Sequence, residues 1–139
     1  MNSFFWQKIF LFFSIMFMVM KMNTYKIIML KDEFKKYVYN YPKLLRCLSM
    51  EQKTKFDTSQ IELLLKNTSQ AVSFFEKDLF LREDYLYFHG LHKLTNEITN
   101  DSITFIINEF DIEVNEKKGS YIVFDYLKKF SSNFFMFDI

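Results

Sequence analysis

The sequence predicts an α+β fold in which an N-terminal signal or anchor helix precedes short helices packed on an antiparallel β-meander. The chain of 139 residues has room for one domain. Half of its residues are hydrophobic and a fifth are aromatic, which is enough apolar surface to build one core and argues against disorder. Helical spacing of apolar residues in the first half changes to period two from Ala71 onward, which indicates helices followed by strands.

The first element is an apolar run at residues 9–20, which reads IFLFFSIMFMVM and has Ser14 as its one polar position. Lys8 precedes the run and Lys21 follows it. Twelve residues match the 7 to 15 or so of a signal-peptide core and fall short of the roughly 20 that span a membrane. A buried core helix is the alternative, but a run that is apolar on every side suits that role poorly in a small domain.

The boundary of the leader is less regular than its core. Residues 19–22 are bulky, so the small residues that signal peptidase prefers are missing. We therefore expect residues 1–22 to be either a signal peptide or an uncleaved inner-membrane anchor, and residues 23–139 to form the single domain. Both routes place the domain in the periplasm.

The next segments are predicted to be helical. Residues 32–39 combine an acidic first turn with apolar residues at helical spacing, and Pro42 ends this helix. Leucines after the proline predict a second helix that runs to about Glu51. A capping box at positions 57 and 60, or at 59 and 62, predicts the start of a third helix.

Strands are predicted for the rest of the chain because its aromatic and β-branched residues alternate with polar ones. The predicted strands are residues 72–76, 84–92, 103–115 and 120–127, with a short fifth strand at 133–137. A tight turn at residues 116–119 is expected to join the third and fourth strands as an antiparallel hairpin.

A strict alternation marks the end of the third predicted strand. Three carboxylates alternate there with three apolar side chains, in the order Glu109, Phe110, Asp111, Ile112, Glu113 and Val114. On a strand, the carboxylates would share one face and the apolar residues would face the core. The stripe is either a solvated sheet face or a surface for a cationic partner. Lys117 and Lys118 in the following turn offer a third possibility, which is internal neutralisation.

The two histidines, His89 and His92, are the second candidate for chemistry. Their spacing points the side chains to opposite faces of a strand, so joint metal binding would require a turn at Gly90. No third histidine and no nearby cysteine would complete a metal site. A hydrogen-bonded structural histidine is the first interpretation, and an imidazole offered to a partner's carboxylate is the second.

Catalytic and nucleic-acid-binding signatures are missing from the sequence. No G-x-S-x-G motif occurs, and two glycines are too few for a phosphate-binding loop. The basic residues are scattered rather than clustered, so nucleic-acid binding is not expected. We predict no catalytic residue, cofactor or metal, and an enzyme of unknown chemistry is the weakest of the functional classes considered.

A small, aromatic-rich chain that opens MNSFFWQKIFLFFSIMFMVM and carries an acidic strand resembles the periplasmic bacteriocin immunity proteins. The bias toward residues with AT-rich codons fits a plasmid-borne gene of that kind. The resemblance implies an inhibitor that binds its cognate murein-degrading bacteriocin, a lysozyme-like muramidase, one to one in the periplasm.

Muramidases act through paired carboxylates, so the resemblance also implies a protruding loop that plugs the catalytic cleft and an acidic stripe that contacts its basic rim. The candidate partner-binding residues are His89, His92, Glu109, Asp111, Glu113, Lys117 and Lys118. The competing interpretation is a membrane-tethered accessory or adaptor protein of a cell-envelope or secretion system, with residues 4–20 kept as its anchor. In either case, membrane contact is expected only through the N-terminal segment.

Overall fold

A computed structural model describes residues 7–9, 22–40 and 63–139. The apolar run beyond residue 9, the helix predicted after Pro42 and both capping boxes lie outside the described residues. Among the helices in the described ranges, none is long and apolar enough to cross a membrane.

Six strands and four short helices have both of their ends within the described ranges. The strands are β1 (Met22–Met29), β2 (Tyr85–Phe88), β3 (Leu91–Thr95), β4 (Ser102–Ile107), β5 (Ile112–Lys117) and β6 (Phe134–Asp138). The helices are α1 (Asp32–Asn40), α2 (Thr68–Ala71), α3 (Ser73–Phe80) and α4 (Ile122–Lys128).

All six strands form one antiparallel sheet in the order β2-β3-β4-β5-β1-β6. The predicted α+β class and antiparallel sheet are confirmed, and β2 to β5 form a meander of consecutive strands. β1 was not predicted, yet it lies between β5 and β6 and its Tyr25 and Ile27 are fully buried. β1 connects β5 to β6, because each of these strands pairs with β1 and they do not pair with each other in the described sheet.

One face of the sheet, the core face, packs against α3 and α4. A row of directly opposed residues on β1, β5 and β4 lies at its centre and consists of Tyr25, Val114 and Phe105, all fully or almost fully buried. The Phe75 ring of α3 packs against the Phe105 ring in a tilted arrangement, and Val123 of α4 belongs to the same cluster. Burial of apolar area in this cluster supplies most of the driving force for folding.

The other face, the open face, has a smaller core at one side. Ile28 of β1 and Val38 of α1 form a second buried cluster with Leu30 and Leu65, and Phe135 of β6 packs against it. The helices therefore lie on both faces of the sheet rather than on one, because the successive residues Ile27 and Ile28 of β1 point to opposite faces and both are buried.

Two predicted strands are helices. Residues 72–76 fall mostly in α3, where Phe75 and Leu79 are buried at helical spacing, and residues 120–127 fall mostly in α4, where Val123 and Leu127 are. Periodicity does not separate a short helix from a short strand when both are rich in aromatic residues. The turn at residues 116–119 therefore leads into a helix, and no hairpin forms there.

Two other predicted strands are each a hairpin. The segment 84–92 turns at His89 and Gly90, whose φ angles of 47° and 85° are those of a two-residue type I′ turn. The segment 103–115 turns at residues 108–111 and becomes β4 and β5. The predictions for residues 32–39 and 133–137 are confirmed by α1 and β6.

Candidate functional site

The turns of the two hairpins lie side by side at one end of the sheet, which we name the tip end. One turn holds His89 and Gly90 between β2 and β3, and the other is residues 108–111 between β4 and β5. Their centres are two strand spacings apart, or about 10 Å. The tip end therefore brings together His89, Glu109 and Asp111 from the predicted set.

The β2–β3 hairpin carries a contiguous apolar surface. Leu86 and Phe88 project from the open face of β2 and are 66% and 71% exposed. Leu91 lies opposite Phe88 across the turn and is also exposed. The His89 ring lies edge-on to the Phe88 ring at 4.1 Å and is open to solvent. His89 is thus available to a partner.

His92 occupies a different environment on the core face. It is almost completely buried, its Nδ1 lies 2.6 Å from the Tyr85 hydroxyl oxygen, and its ring stacks in parallel on Phe105 at 4.7 Å. Burial lowers the pKa of His92 below its ordinary value. This geometry favours a structural role for His92 and separates it from His89.

The depressed pKa of His92 predicts a pH-dependent stability. Between the folded pKa and the unfolded value near 6.5, the unfolded chain binds more protons than the folded chain, so the free energy of unfolding rises with pH and is lost on acidification. We expect a slope of up to about 1.4 kcal/mol per pH unit below pH 6.5 in urea unfolding. A His92→Phe variant is the control and should reduce this slope, while an unchanged slope would contradict the assignment.

The acidic alternation does not form the stripe that its sequence predicted. Of the three carboxylates, Glu113 alone lies on β5, where it pairs with Lys26 of β1 at 3.6 Å on the open face. Glu109 and Asp111 lie in the turn, and Phe110 packs against the second cluster rather than the main core. The prediction of one carboxylate face was wrong because the hairpin turns inside the alternating segment.

Thr68 stabilises the turn that carries the acidic residues. It is fully buried and was not predicted as a site residue. Its hydroxyl donates to the carbonyl oxygen of Asn108 at 2.6 Å, and its amide donates to that of Glu109 at 2.7 Å. The Asn108 side-chain amide donates to the Asp111 carboxylate at 2.7 Å. These hydrogen bonds hold the turn in one conformation, and Glu109 is exposed on it.

Lys117 and Lys118 lie at the far end of the sheet, where β5 ends and Gly119 turns with φ 87°. Lys117 lines an open groove of about 790 Å³ that also involves Arg82 and Glu97. The lysines are therefore separated from His89 by the length of the strands. Neutralisation of Glu109 and Asp111 by these lysines is not possible in this arrangement.

Glu116 is the residue that sequence reasoning placed least accurately. It was predicted to lie in the tight turn at residues 116–119 but is fully buried on the core face. There it accepts hydrogen bonds from the Tyr25 hydroxyl and from the amides of Ile122 at 2.9 Å and Val123 at 3.2 Å. Burial and the Glu116 carboxylate raise the pKa of Tyr25. The burial of Glu116 was indicated in the sequence by period-two alternation, because Ile112, Val114 and position 116 share one face of the strand.

The described residues contain no group of three or more His, Cys, Asp or Glu side chains placed to hold a metal ion. Comparison with protein-family models and with curated proteins finds no match to this chain.

Proposed function

We propose that this protein is a periplasmic immunity protein that binds its cognate murein-degrading bacteriocin through the tip end and inhibits the muramidase activity. The observation that carries the proposal is the exposed hairpin tip, in which His89 sits in a tight turn between Phe88 and Leu91. Exposed aromatic and aliphatic side chains on a protruding element are typical of protein contacts.

The tip suits insertion into a cleft because it is already rigid. A two-residue type I′ turn is fixed by the strands on either side, so little conformational entropy is lost on binding. Phe88 and Leu91 would supply apolar area, and the His89 imidazole would donate a hydrogen bond to a carboxylate. Paired carboxylates line a muramidase cleft, and a charge-assisted bond to one of them is among the stronger polar contacts.

The neighbouring turn would contribute charge. Glu109 and Asp111 lie about 10 Å from the His89 turn and add two carboxylates to this end of the sheet. Complementary charge raises the association rate and selects the partner. In this arrangement the acidic residues contact the basic rim of the cleft while the β2–β3 turn enters it.

The periplasmic location rests on the sequence of residues 1–22. β1 begins at Met22, the last residue of the predicted leader, so the described sheet includes one residue of that segment. Either a cleaved signal peptide or a retained anchor is consistent with that boundary, and both present the domain where a murein-degrading toxin acts.

The test is a challenge of sensitive cells that express the gene with a panel of murein-degrading bacteriocins. We expect protection against one of them and at least a tenfold loss of protection in the Phe88→Ala/His89→Asn variant, because truncation of a hot-spot residue at the centre of an interface costs about 2 kcal/mol or more and a tenfold change corresponds to about 1.4 kcal/mol. Asparagine is chosen at position 89 because it tolerates the left-handed conformation.

Two control variants make the result specific. Ile98→Ala alters an apolar residue that is 96% exposed and lies outside the tip end, and it should protect like the unmodified protein. Lys117→Ala/Lys118→Ala alters the far end of the sheet. If the lysine variant loses protection while the tip variant keeps it, the contact surface is the far end. Failure to protect against any toxin would refute the function.

A further inference from the structure

β2 is an edge strand of the described sheet, and the ladder pattern identifies the backbone N–H and C=O groups on its outer side. In the described sheet it pairs with β3 alone. The amide of Thr95 donates to the carbonyl oxygen of Asp84 at 3.1 Å, so this pair is hydrogen-bonded. Because hydrogen-bonded and non-hydrogen-bonded pairs alternate along an antiparallel ladder, Leu86 also points its backbone groups toward β3. The N–H and C=O groups of Tyr85 and Tyr87 therefore point away from the sheet.

This edge lacks the features that normally protect one. Residues 85–90 include no proline and no Lys, Arg, Asp or Glu, whereas exposed edges usually carry charges, prolines or bulges that prevent pairing. The strand itself reads YLYF. Leu86, Tyr87 and Phe88 are 66%, 53% and 71% exposed, so apolar surface is open on both faces of the edge.

We propose that this edge pairs with β2 of a second copy of the chain, so that two six-stranded sheets join across a two-fold axis. Symmetry places each residue near its own counterpart, and a charged strand would repel itself. An uncharged apolar strand fits itself without repulsion. A second copy is therefore a better match for β2 than a partner selected by charge.

One register satisfies every outward group. With the axis at Leu86, Tyr85 pairs with Tyr87 of the second copy in both directions, which makes four backbone hydrogen bonds. The two Leu86 residues then form a non-hydrogen-bonded pair, in which the Cα atoms are about 4.5 Å apart. The neighbouring two-fold registers pair one of these tyrosines with Glu83 or with the turn residue His89, and both of those residues lie outside β2.

Side chains on both faces would add apolar burial. On the core face, Phe80 is exposed and its ring lies 5.5 Å from that of Tyr85 and 6.5 Å from that of Tyr87, so an aromatic cluster borders the junction. On the open face, the two Leu86 side chains would meet. The two-fold axis points the tip ends in opposite directions, so the toxin-binding residues His89 and Leu91 lie outside the paired residues 85–87, while Phe88 lies at the boundary between the two surfaces. The inference does not depend on the proposed function.

The first test is disulfide cross-linking of the full chain in a Cys47→Ser background. Leu86→Cys should give an oxidised dimer of about twice the 17.0 kDa chain mass on a non-reducing gel, because the two Cα atoms lie well within the roughly 7 Å limit for a disulfide. Lys93→Cys is the matched control. Lys93 lies directly opposite Leu86 on β3, which puts the two copies of position 93 three strand spacings apart, about 14 Å.

The second test is sedimentation equilibrium of the purified full chain in a density-matched mild detergent. Leu86→Lys places two ammonium groups across the axis and should raise the dimer dissociation constant at least tenfold. Ile98→Lys, at a residue that is 96% exposed, should leave it unchanged. Equal cross-linking at positions 86 and 93, or an unmodified chain that stays monomeric at high concentration, would overturn the proposal. Toxin protection reports on the tip end independently.

Discussion

Replacement of Glu116 with alanine is expected to lower the free energy of unfolding by about 3–5 kcal/mol. The carboxylate is fully buried and accepts from the Tyr25 hydroxyl and from the first amides of α4 at Ile122 and Val123. Alanine leaves the buried Tyr25 hydroxyl and Val123 amide, and the partly buried Ile122 amide, without this acceptor. Each unsatisfied buried donor costs about 1–3 kcal/mol. It also removes the negative charge that stabilises the N-terminus of α4.

Urea unfolding followed by circular dichroism measures this loss, and two variants isolate its cause. Glu116→Gln keeps one acceptor oxygen and should fall between the alanine variant and the unmodified protein. Glu113→Ala removes a carboxylate from the open face of the same strand, where the pair with Lys26 is partly exposed, and should cost no more than about 1 kcal/mol. Equal losses for the two alanine variants would show that Glu116 does not anchor α4.

Replacement of Phe105 with alanine is expected to cost about 3–5 kcal/mol of stability. The side chain is 1% exposed on a central strand, stacks on His92 at 4.7 Å and contacts the Phe75 ring at 5.5 Å. Truncation leaves a cavity between the sheet and α3 that the surrounding residues fill only in part. It also removes the ring that shields His92.

Two measurements check the second prediction. Urea unfolding should show a smaller loss for Ile106→Ala, since Ile106 lies on the open face of the same strand and is partly exposed. NMR titration should show the His92 pKa rising toward its ordinary value in the Phe105→Ala variant, because desolvation lowers it in the unmodified protein. A small stability loss with an unchanged His92 pKa would contradict the packing described for this face.

The two proposed contact surfaces lie on different sides of the described sheet. The hairpins end together at the tip end, and β2 forms a side of the sheet at right angles to it. Binding at the tip and pairing along the edge would therefore require different structural features. The tip requires a rigid turn with a polar group, and the edge requires free backbone groups without charge.

Several elements could be recognised from local pattern alone. The acidic first turn and helical spacing of residues 32–39 predicted α1, and the aromatic run at 133–137 predicted β6. The α+β class and the antiparallel pairing also followed from local signals, because period-two segments joined by short turns pair with their neighbours. The turn at His89 and Gly90 was not predicted, because residues 84–92 were predicted to be one strand and a turn at Gly90 was only an alternative.

Tertiary contacts decided the rest. Residues 72–80 and 120–128 satisfy either periodicity over a short span, and they are helices because α3 and α4 cover the core face of the sheet. β1 became a central strand because β5 and β6 both pair with it, which involves residues about 90 to 110 positions away in the chain. Strand pairing between residues so far apart in the chain cannot be predicted from the periodicity of a short segment.

By itself, the sequence determined the class of fold, the local elements with clear periodicity and the lack of known catalytic motifs. The tertiary structure alone decided which end of the sheet each candidate residue occupies, that Glu116 is buried and that the uncharged strand β2 lies at an edge. The physical reason is that the burial and charge environment of a side chain depend on strands and helices distant in sequence, whereas periodicity reports only its immediate neighbours.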